Sequence, residues 1–177
     1  MRLSPPNLIS IALFAGAGVL ASAPGSGAAP CPLSLQQLKK LSECELERLF
    51  ANAPPGAVPV GYARGATLLM TSARMPRLKA RLADSVWKGK HFEESGDFIN
   101  QWIAFQALRG HAQVGTSWHD EKPCIVIEYP PNTPLFGNTR DELREVAPGL
   151  YLAGLYEKCP CPRFRGYFAI QIGTSCP

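Results

Sequence analysis

The sequence predicts a mainly β protein, a β-rich α+β fold in which an antiparallel sheet closes into a barrel. Short strand patterns follow one another late in the chain, and tight turns rather than crossover helices join them. The strongest of these patterns is CIVIEYP, residues 124–130, which is rich in β-branched side chains. A single helical pattern interrupts the strands early, and short helices precede them. This order disfavours a parallel βαβ architecture.

Two short helices are predicted at the beginning of the folded part. Ser34 with Gln37, and Ser42 with Glu45, have the spacing of a capping box, in which each serine caps a helix start. Proline and glycine at residues 54–56 end the second helix near residue 53. We therefore expect a small helical segment in front of the barrel.

The first strand and the main helix come next. Residues 56–70 form an extended segment, and residues 72–86 form a helix that Ser72 caps. The apolar side of this helix follows the 3.6-residue period at Met75, Leu78, Leu82 and Val86.

The remaining segments are mostly extended. WKGKHF, residues 87–92, breaks the helix, and the apolar residues of 97–105 fit a helical turn as well as a buried strand. Residues 107–115 are extended, and Ala-Pro-Gly at 147–149 predicts a hairpin turn. FRGYFAIQI, ending at residue 172, is the last strand.

The N-terminus has the layout of a secretory signal peptide. Arg2 precedes an apolar run at residues 7–20, and small residues follow, with plausible cleavage after Ala21 or Ala28. The run is shorter than the roughly 20 residues that a bilayer span needs. We expect an exported protein, periplasmic or extracellular. An uncleaved anchor, or a lipid on Cys31, are the alternatives.

The chain therefore divides into three parts. Residues 1–28 are the signal peptide, residues 29–55 the N-terminal helical segment, and residues 56–177 the barrel domain. With 46% hydrophobic and 18% charged residues, the chain is too apolar to be disordered. Its net charge of +4 is too small to indicate a nucleic-acid partner, and no aromatic stacking platform is evident.

Six cysteines in an exported chain predict a disulfide framework, made by Cys31, Cys44, Cys124, Cys159, Cys161 and Cys176. Cys159 and Cys161 are too close to bridge without strain. A strand of roughly 30 Å separates them from Cys176. We expect each of the three C-terminal cysteines to pair with Cys31, Cys44 or Cys124.

An ordered series of motifs then suggests a family. GYARG at 61–65, a helix, VWKGKHF at 86–92, VIEYP, RDELREVAPGLYLAGLY and YFAI occur in that order. The series resembles the bacterial lipocalin-like proteins named for a Gly-x-Trp-x-Gly motif, together with their companion domain of unknown function. Ala63 stands where that motif has Trp. The resemblance implies a lipocalin-like barrel with a pocket, but no particular substrate.

We therefore expect a non-catalytic binding protein for a small hydrophobic or amphipathic molecule, with no cofactor and no metal. Aromatic side chains would form the walls of the cavity and an arginine its polar anchor. The predicted ligand-binding residues are Tyr62, Arg64, Trp87, Trp102, Arg144, Tyr151, Tyr156 and Tyr167. On the strand at 140–145, Glu142 and Arg144 share one face. Their charges form cross-strand ion pairs on the outer face or, if this strand closes the barrel, Glu142 or Arg144 points inward and binds the ligand.

Two alternatives stay open. In the first, the barrel is an enzyme, an isomerase or hydrolase, in which His91 transfers protons at the mouth of the pocket. The trio His119, Asp120 and Glu121 is interpreted as a surface turn and not as a metal site. In the second, the basic region 74–90 holds an anionic envelope surface. Its cations are Arg74, Arg77, Lys79, Arg81, Lys88 and Lys90.

Overall fold

Eight antiparallel strands close into a barrel in a computed structural model that describes residues 33–71, 76–158 and 160–173. Each strand pairs with the next along the chain, and the last pairs with the first, for example Ala63 opposite Ile172. The strands are β1 (Gly61–Met70), β2 (Trp87–Phe92), β3 (Asp97–Trp102), β4 (Gln106–Thr116), β5 (Pro123–Glu128), β6 (Thr139–Ala147), β7 (Leu150–Glu157) and β8 (Arg163–Ile172). The predicted β-rich antiparallel barrel is confirmed.

Alternating residues of these strands fill the barrel. Successive side chains of a strand point to opposite faces, so every second residue can be apolar and inward. The buried interior residues include Phe92, Phe98, Ile125, Ile127, Leu143, Ala153, Phe168 and Ile170. This packing occupies the middle of the barrel and leaves a cavity near one end.

The N-terminal helices cover the outer face of the barrel. α1 (Leu35–Leu38) and α2 (Glu43–Asn52) begin at Ser34 and Ser42, and both capping boxes are formed. Leu38, Leu46 and Phe50 pack with outward-facing residues of β1, β7 and β8 in a second apolar core. The predicted helical segment is confirmed over its described part, and both faces of these strands are buried as a result.

The helix between the first two strands, α3 (Pro76–Val86), lies against β1 and β2. It faces the barrel with its small residues, Ala80 and Ala83, of which Ala80 is fully buried. The apolar side expected from the periodicity points outward instead, since Leu78, Leu82 and Val86 are exposed. The predicted cap, Ser72, lies outside the described residues, as does Met75.

The segment WKGKHF, expected only to end this helix, forms strand β2. Gly89 makes this possible: its φ is +136°, and a Cβ there would lie 2.0 Å from the backbone oxygen of Ala63. The ambiguous residues around Trp102 also form a strand, β3. Both segments are strands because pairing with their neighbours completes the barrel.

The expected disulfides are not formed among the described cysteines. Cys44, Cys124 and Cys161 are free thiols, so Cys161 pairs with neither of the other two. Cys161 lies in the turn after β7, whereas Cys124 is near the start of β5, at the opposite end of the barrel. Burial raises the pKa of the Cys124 thiol to about 12. Cys31, Cys159 and Cys176 lie outside the described residues.

The predicted signal peptide, residues 1–28, and the possible lipidation site at Cys31 also lie outside the described residues. Within residues 33–71, 76–158 and 160–173, no helix has both the length and the apolar character needed to cross a bilayer.

Candidate functional site

A cavity of about 170 Å³ lies inside the barrel beneath α3. The helix contributes Ala83 and Val86, and β1, β3, β7 and β8 contribute further walls. The loop after β5 adds Phe136. Most of the surface is apolar, and the polar groups that border it are Lys90, Asn100, Tyr129 and Asp141, together with the indoles of Trp87 and Trp102 and the hydroxyl of Thr67.

Lys90 is the centre of a buried polar cluster on the wall of this cavity. Its side chain is 2% exposed, and its ammonium Nζ donates to the Tyr129 hydroxyl at 2.5 Å and to Asn100 Oδ1 at 3.0 Å. Asp141 Oδ2 lies 3.5 Å from the same nitrogen. Since an ammonium has three donor hydrogens, these three neighbours account for its donors.

Four aromatic rings surround the Lys90 ammonium. Their centroids lie 4.6 Å (Phe98), 5.1 Å (Tyr129), 5.7 Å (Trp87) and 5.8 Å (Phe168) from Nζ. Cation–π attraction therefore adds to the ion pair with Asp141 in holding a charge away from water. The rings also exclude solvent from the pair, which strengthens the electrostatic interaction.

The electrostatics of the cluster follow from its burial. Burial lowers the pKa of Lys90, and the negative charge of Asp141 opposes this effect. Burial raises the pKa of Asp141, and Lys90 opposes that effect in turn. The pKa of Tyr129 lies well above its ordinary value, because burial and then the Asp141 charge disfavour the phenolate. Tyr129 is therefore a neutral hydroxyl, and the ion pair has no net charge.

Asn100 connects the cluster to the backbone and to an indole. Its side-chain nitrogen donates to the Leu108 carbonyl at 2.9 Å, and its oxygen accepts from Trp87 Nε1 at 3.1 Å. The second indole differs, because Trp102 Nε1 is buried and has no hydrogen-bond partner among the described residues. A buried donor without an acceptor is rare in proteins.

Three of the eight predicted ligand-binding residues border the cavity. Trp87 and Trp102 line it with their rings, as expected. Tyr167 also borders it, although its ring packs outside the barrel, with centroids 4.7 Å from Phe164 and 6.5 Å from Phe50.

The predicted polar anchors do not reach the cavity. Arg64 is exposed on the outside of β1. Arg144 and Glu142 point away from the interior, whereas Asp141 on the same strand points inward. The inward alternative for Glu142 or Arg144 is therefore wrong, and both side chains lie on the outer face. Arg144 is nevertheless fully buried, because α2 and the turn at 117–122 cover it. It donates to both carboxylate oxygens of Asp120, at 2.6 and 2.8 Å.

The other predicted residues have structural contacts elsewhere. Tyr62 is half exposed and donates to the Lys88 carbonyl at 2.9 Å. Tyr151 faces the interior at the opposite end, where it donates to the Ala57 carbonyl at 2.8 Å. Tyr156 packs on the outer face, 6.0 Å from the Trp118 ring. None of the three lines the cavity.

His91 is exposed on the outer face of β2, beside Tyr62 of β1. Its neighbours Lys90 and Phe92 point inward, so the imidazole points away from the cavity. The structure therefore places the candidate proton-transfer residue outside the pocket. The part of the chain that the structure describes contains no group of three side chains able to hold a metal ion.

Sequence reasoning missed the residues that form the polar wall, Lys90, Asn100, Tyr129 and Asp141. In the sequence Lys90 resembles a surface charge, because it follows Lys88 at the end of the basic region 74–90. The available signal was the strand alternation around Phe92, which puts Lys90 on the same face as an apolar ring.

The comparisons with known proteins concern the fold. The fold is similar to the crystal structure of a protein from Thermomonospora curvata, with a TM-score of 0.54 and 16% sequence identity. The match covers 76% of this chain and 89% of that chain. At this identity the likeness shows a shared barrel fold alone. No family model matches the chain, and no curated protein sequence matches it.

Proposed function

We propose that this is an exported, non-catalytic binding protein that holds a small hydrophobic or amphipathic molecule in the barrel cavity. The observation that carries the proposal is the apolar cavity inside the barrel, with a few convergent polar groups on one wall. This combination is typical of small-molecule sites, where apolar walls supply affinity and polar groups fix orientation. The leader-like sequence of residues 1–28 supports export.

The volume limits the size of the ligand. A cavity of about 150 Å³ lined by apolar side chains accepts benzene in a well-studied lysozyme variant. The present cavity, at about 170 Å³, therefore fits a molecule of one ring with a short substituent. Six to eight heavy atoms at about 0.7 kcal/mol each give a Kd between about 1 mM and about 0.1 mM.

The charge distribution favours a neutral ligand. Lys90 and Asp141 neutralise each other, and the donors of Lys90 already have partners at 2.5–3.5 Å. A carboxylate would have to compete with Asp141, and a free ammonium with Lys90, inside a poorly solvated site. A hydroxyl, ether or carbonyl oxygen can instead accept from the indole N–H of Trp102, which lines the cavity and has no partner among the described residues.

We also propose kinship with the Gly-x-Trp-x-Gly proteins, on the motifs described above. Gly61 and Gly65 lie in β1, with Ala63 between them and fully buried in the interior. Gly65 lies against the ring of Trp87, since a Cβ there would be 2.5 Å from that indole. The close contact between a motif glycine and the cavity indole gives the motif a packing reason.

The enzyme alternative gains no support from His91, which is exposed outside the barrel. Carriage of a ligand requires only the cavity and its walls. We therefore base the proposed function on binding and on no reaction.

The test is a calorimetric titration with neutral one-ring probes, phenol and cyclohexanone, and with charged counterparts, benzoate and benzylammonium. Ala83→Phe places a ring in the cavity, and Leu82→Phe is the matched control because that neighbouring side chain is exposed. We expect the neutral probes to bind the wild type and Leu82→Phe, and Ala83→Phe to lose binding at least tenfold. Equal binding by both variants would show that the probes bind elsewhere.

A further inference from the structure

The mouth of the cavity has an unusual surface. Six of the ten exposed large hydrophobic side chains of the described residues belong to α3, to the turn after β3 and to the loop after β5, the segments that contribute Val86, Trp102 and Phe136 to the cavity lining or adjoin them. We define this mouth rim as Leu78, Leu82, Val86, Ile103, Phe105 and Leu135.

Direct contacts connect the parts of the rim. The backbone N–H of Ile103 donates to the Val86 carbonyl at 3.0 Å, which joins α3 to the turn after β3. The Phe105 ring stacks on Trp102, with centroids 6.2 Å apart. The Phe136 ring, next to Leu135 in sequence, also contacts Trp102, with centroids 6.4 Å apart. Trp102, Val86 and Phe136 also line the cavity, so the rim and the cavity wall are continuous.

The orientation of α3 is what exposes the rim. Leu78, Leu82 and Val86 follow one another at intervals of four residues, which places them on one side of a helix. The helix turns this side to solvent and packs on the barrel through Ala80 and Ala83. Leu82 is 62% exposed and Ile103 is 63% exposed. An apolar helix side facing solvent beside a cavity mouth marks an interaction surface.

The charges beside the rim indicate the partner. The sequence of α3 contains Arg77, Lys79 and Arg81 against one acid, Asp84. Asp84 is paired with Lys39 at 2.8 Å, which leaves the helix with a positive excess. The segments at 101–108 and 129–139 contain no acidic residue. A helix sequence with this positive excess, in which Arg81 is exposed beside an apolar rim, suits an anionic bilayer, whereas a second copy would bring like charges together.

We propose that the mouth rim docks on the surface of an anionic bilayer, with α3 lying in the interface plane. Leu82 and Ile103 enter the headgroup region, and the cations of α3 attract anionic headgroups. The cavity mouth then faces the membrane, so that an apolar ligand passes between bilayer and barrel without crossing water. The transfer of a ligand rests on the proposed function, whereas the docking itself does not. Docking does not depend on an occupied cavity.

The experiment is co-sedimentation with vesicles of phosphatidylglycerol and phosphatidylcholine, and with vesicles of phosphatidylcholine alone. The test variant is L82E/I103E. The matched control is V60E/V114E, which adds the same charge at side chains that are 51% and 61% exposed but distant from the rim. Because all four side chains are exposed, we expect all variants to fold, and a thermal melt by circular dichroism verifies it.

We expect the wild type and V60E/V114E to bind the anionic vesicles within about threefold of each other, and L82E/I103E to bind about tenfold less. High salt should weaken binding, since it screens the cations. Equal losses in both double variants would overturn the proposal, as would equal binding to both kinds of vesicle. A dimer in light scattering that L82E/I103E dissociates would instead make the rim a self-association surface and would also overturn it. Ala83→Phe, which fills the cavity, should still bind the vesicles, so failure of ligand binding and failure of docking are distinguishable.

Discussion

Replacing Lys90 by Met tests whether the buried ion pair of the cavity wall is held as the structure indicates. Met has a similar length and no charge, so the substitution removes the ammonium while it preserves most of the packing. Asn100 Oδ1 and the Tyr129 hydroxyl each lose the hydrogen bond that Lys90 donates, and Asp141 loses its cationic partner. The side chain of Asp141 is only 3% exposed, so bulk water does not replace that partner.

The expected cost is large. Removing one member of a buried ion pair destabilises a protein by about 3–5 kcal/mol. Against a total stability of about 5–15 kcal/mol, Lys90→Met should therefore remove roughly a fifth or more of the free energy of unfolding. Replacing both members by apolar residues removes both desolvation penalties. The free energy of unfolding of the double variant Lys90→Met with Asp141→Leu should therefore lie within about 1.5 kcal/mol of the wild-type value.

The cost should also depend on pH. Burial raises the pKa of Asp141 above its ordinary value, and loss of Lys90 raises it further. A carboxyl whose pKa is higher in the folded state than in the unfolded state binds more protons when folded, so stability falls as pH rises between the two pKa values. Lys90→Met should therefore be least destabilised near about pH 5 and most destabilised near about pH 8.

The assay is urea unfolding, followed by tryptophan fluorescence, of the wild type, both single variants and the double variant at both pH values. The coupling energy from the double-mutant cycle gives the pair interaction directly. A loss below about 1 kcal/mol for Lys90→Met at the higher pH would refute the reasoning, because it would mean that Asp141 is solvated. A loss that does not change with pH would refute the assignment to Asp141.

Two further substitutions test the ion pair between Arg144 and Asp120 outside the barrel, and the close contact of β1 with β2 at Gly89. Asp120→Asn should cost about 3 kcal/mol at neutral pH, because it leaves Arg144 buried without its carboxylate. Since the Arg144 guanidinium holds the pKa of Asp120 well below 3.8, wild-type stability should fall as pH drops below about 4, and this part of the fall should be absent in Asp120→Asn. Acid titrations of both proteins, followed by circular dichroism, measure this loss of stability. Parallel curves for the wild type and Asp120→Asn would contradict the assignment to Asp120. Gly89→Ala should cost about 3 kcal/mol or more in a urea titration, because its Cβ meets the Ala63 carbonyl. Gly61→Ala, with a φ of +86° but nothing within 4 Å, should cost about 1 kcal/mol, and an equal cost at both glycines would argue against the clash.

Much of the fold could be predicted because local signals determine it. Ser34 and Ser42 start their helices as their capping boxes indicate, and the Pro-Gly turn at 148–149 joins β6 to β7. WKGKHF is a strand only because β1 and β3 pair with it, and a local pattern cannot show those partners.

The site was harder to predict because the burial of its residues depends on segments that are distant in sequence and pack over them in the fold. Glu142 and Arg144 are outside the barrel yet buried, since α2 and the turn at 117–122 cover that face, so both faces of β6 have similar burial. Lys90 resembles the charged residues near it in sequence, and the partners that make its burial possible, such as Tyr129 and Asp141, lie far along the chain. The orientation of α3 likewise follows from contacts with the barrel and not from its own periodicity.

The most direct test of the binding proposal is native mass spectrometry of the protein purified gently from an exporting host, before and after denaturation. We predict a small molecule of defined mass that is released on unfolding, or uptake of a neutral apolar compound of about that cavity size from a lipid extract. A bare protein mass, with no uptake from the extract and none in the presence of excess phenol, would contradict a ligand-binding barrel.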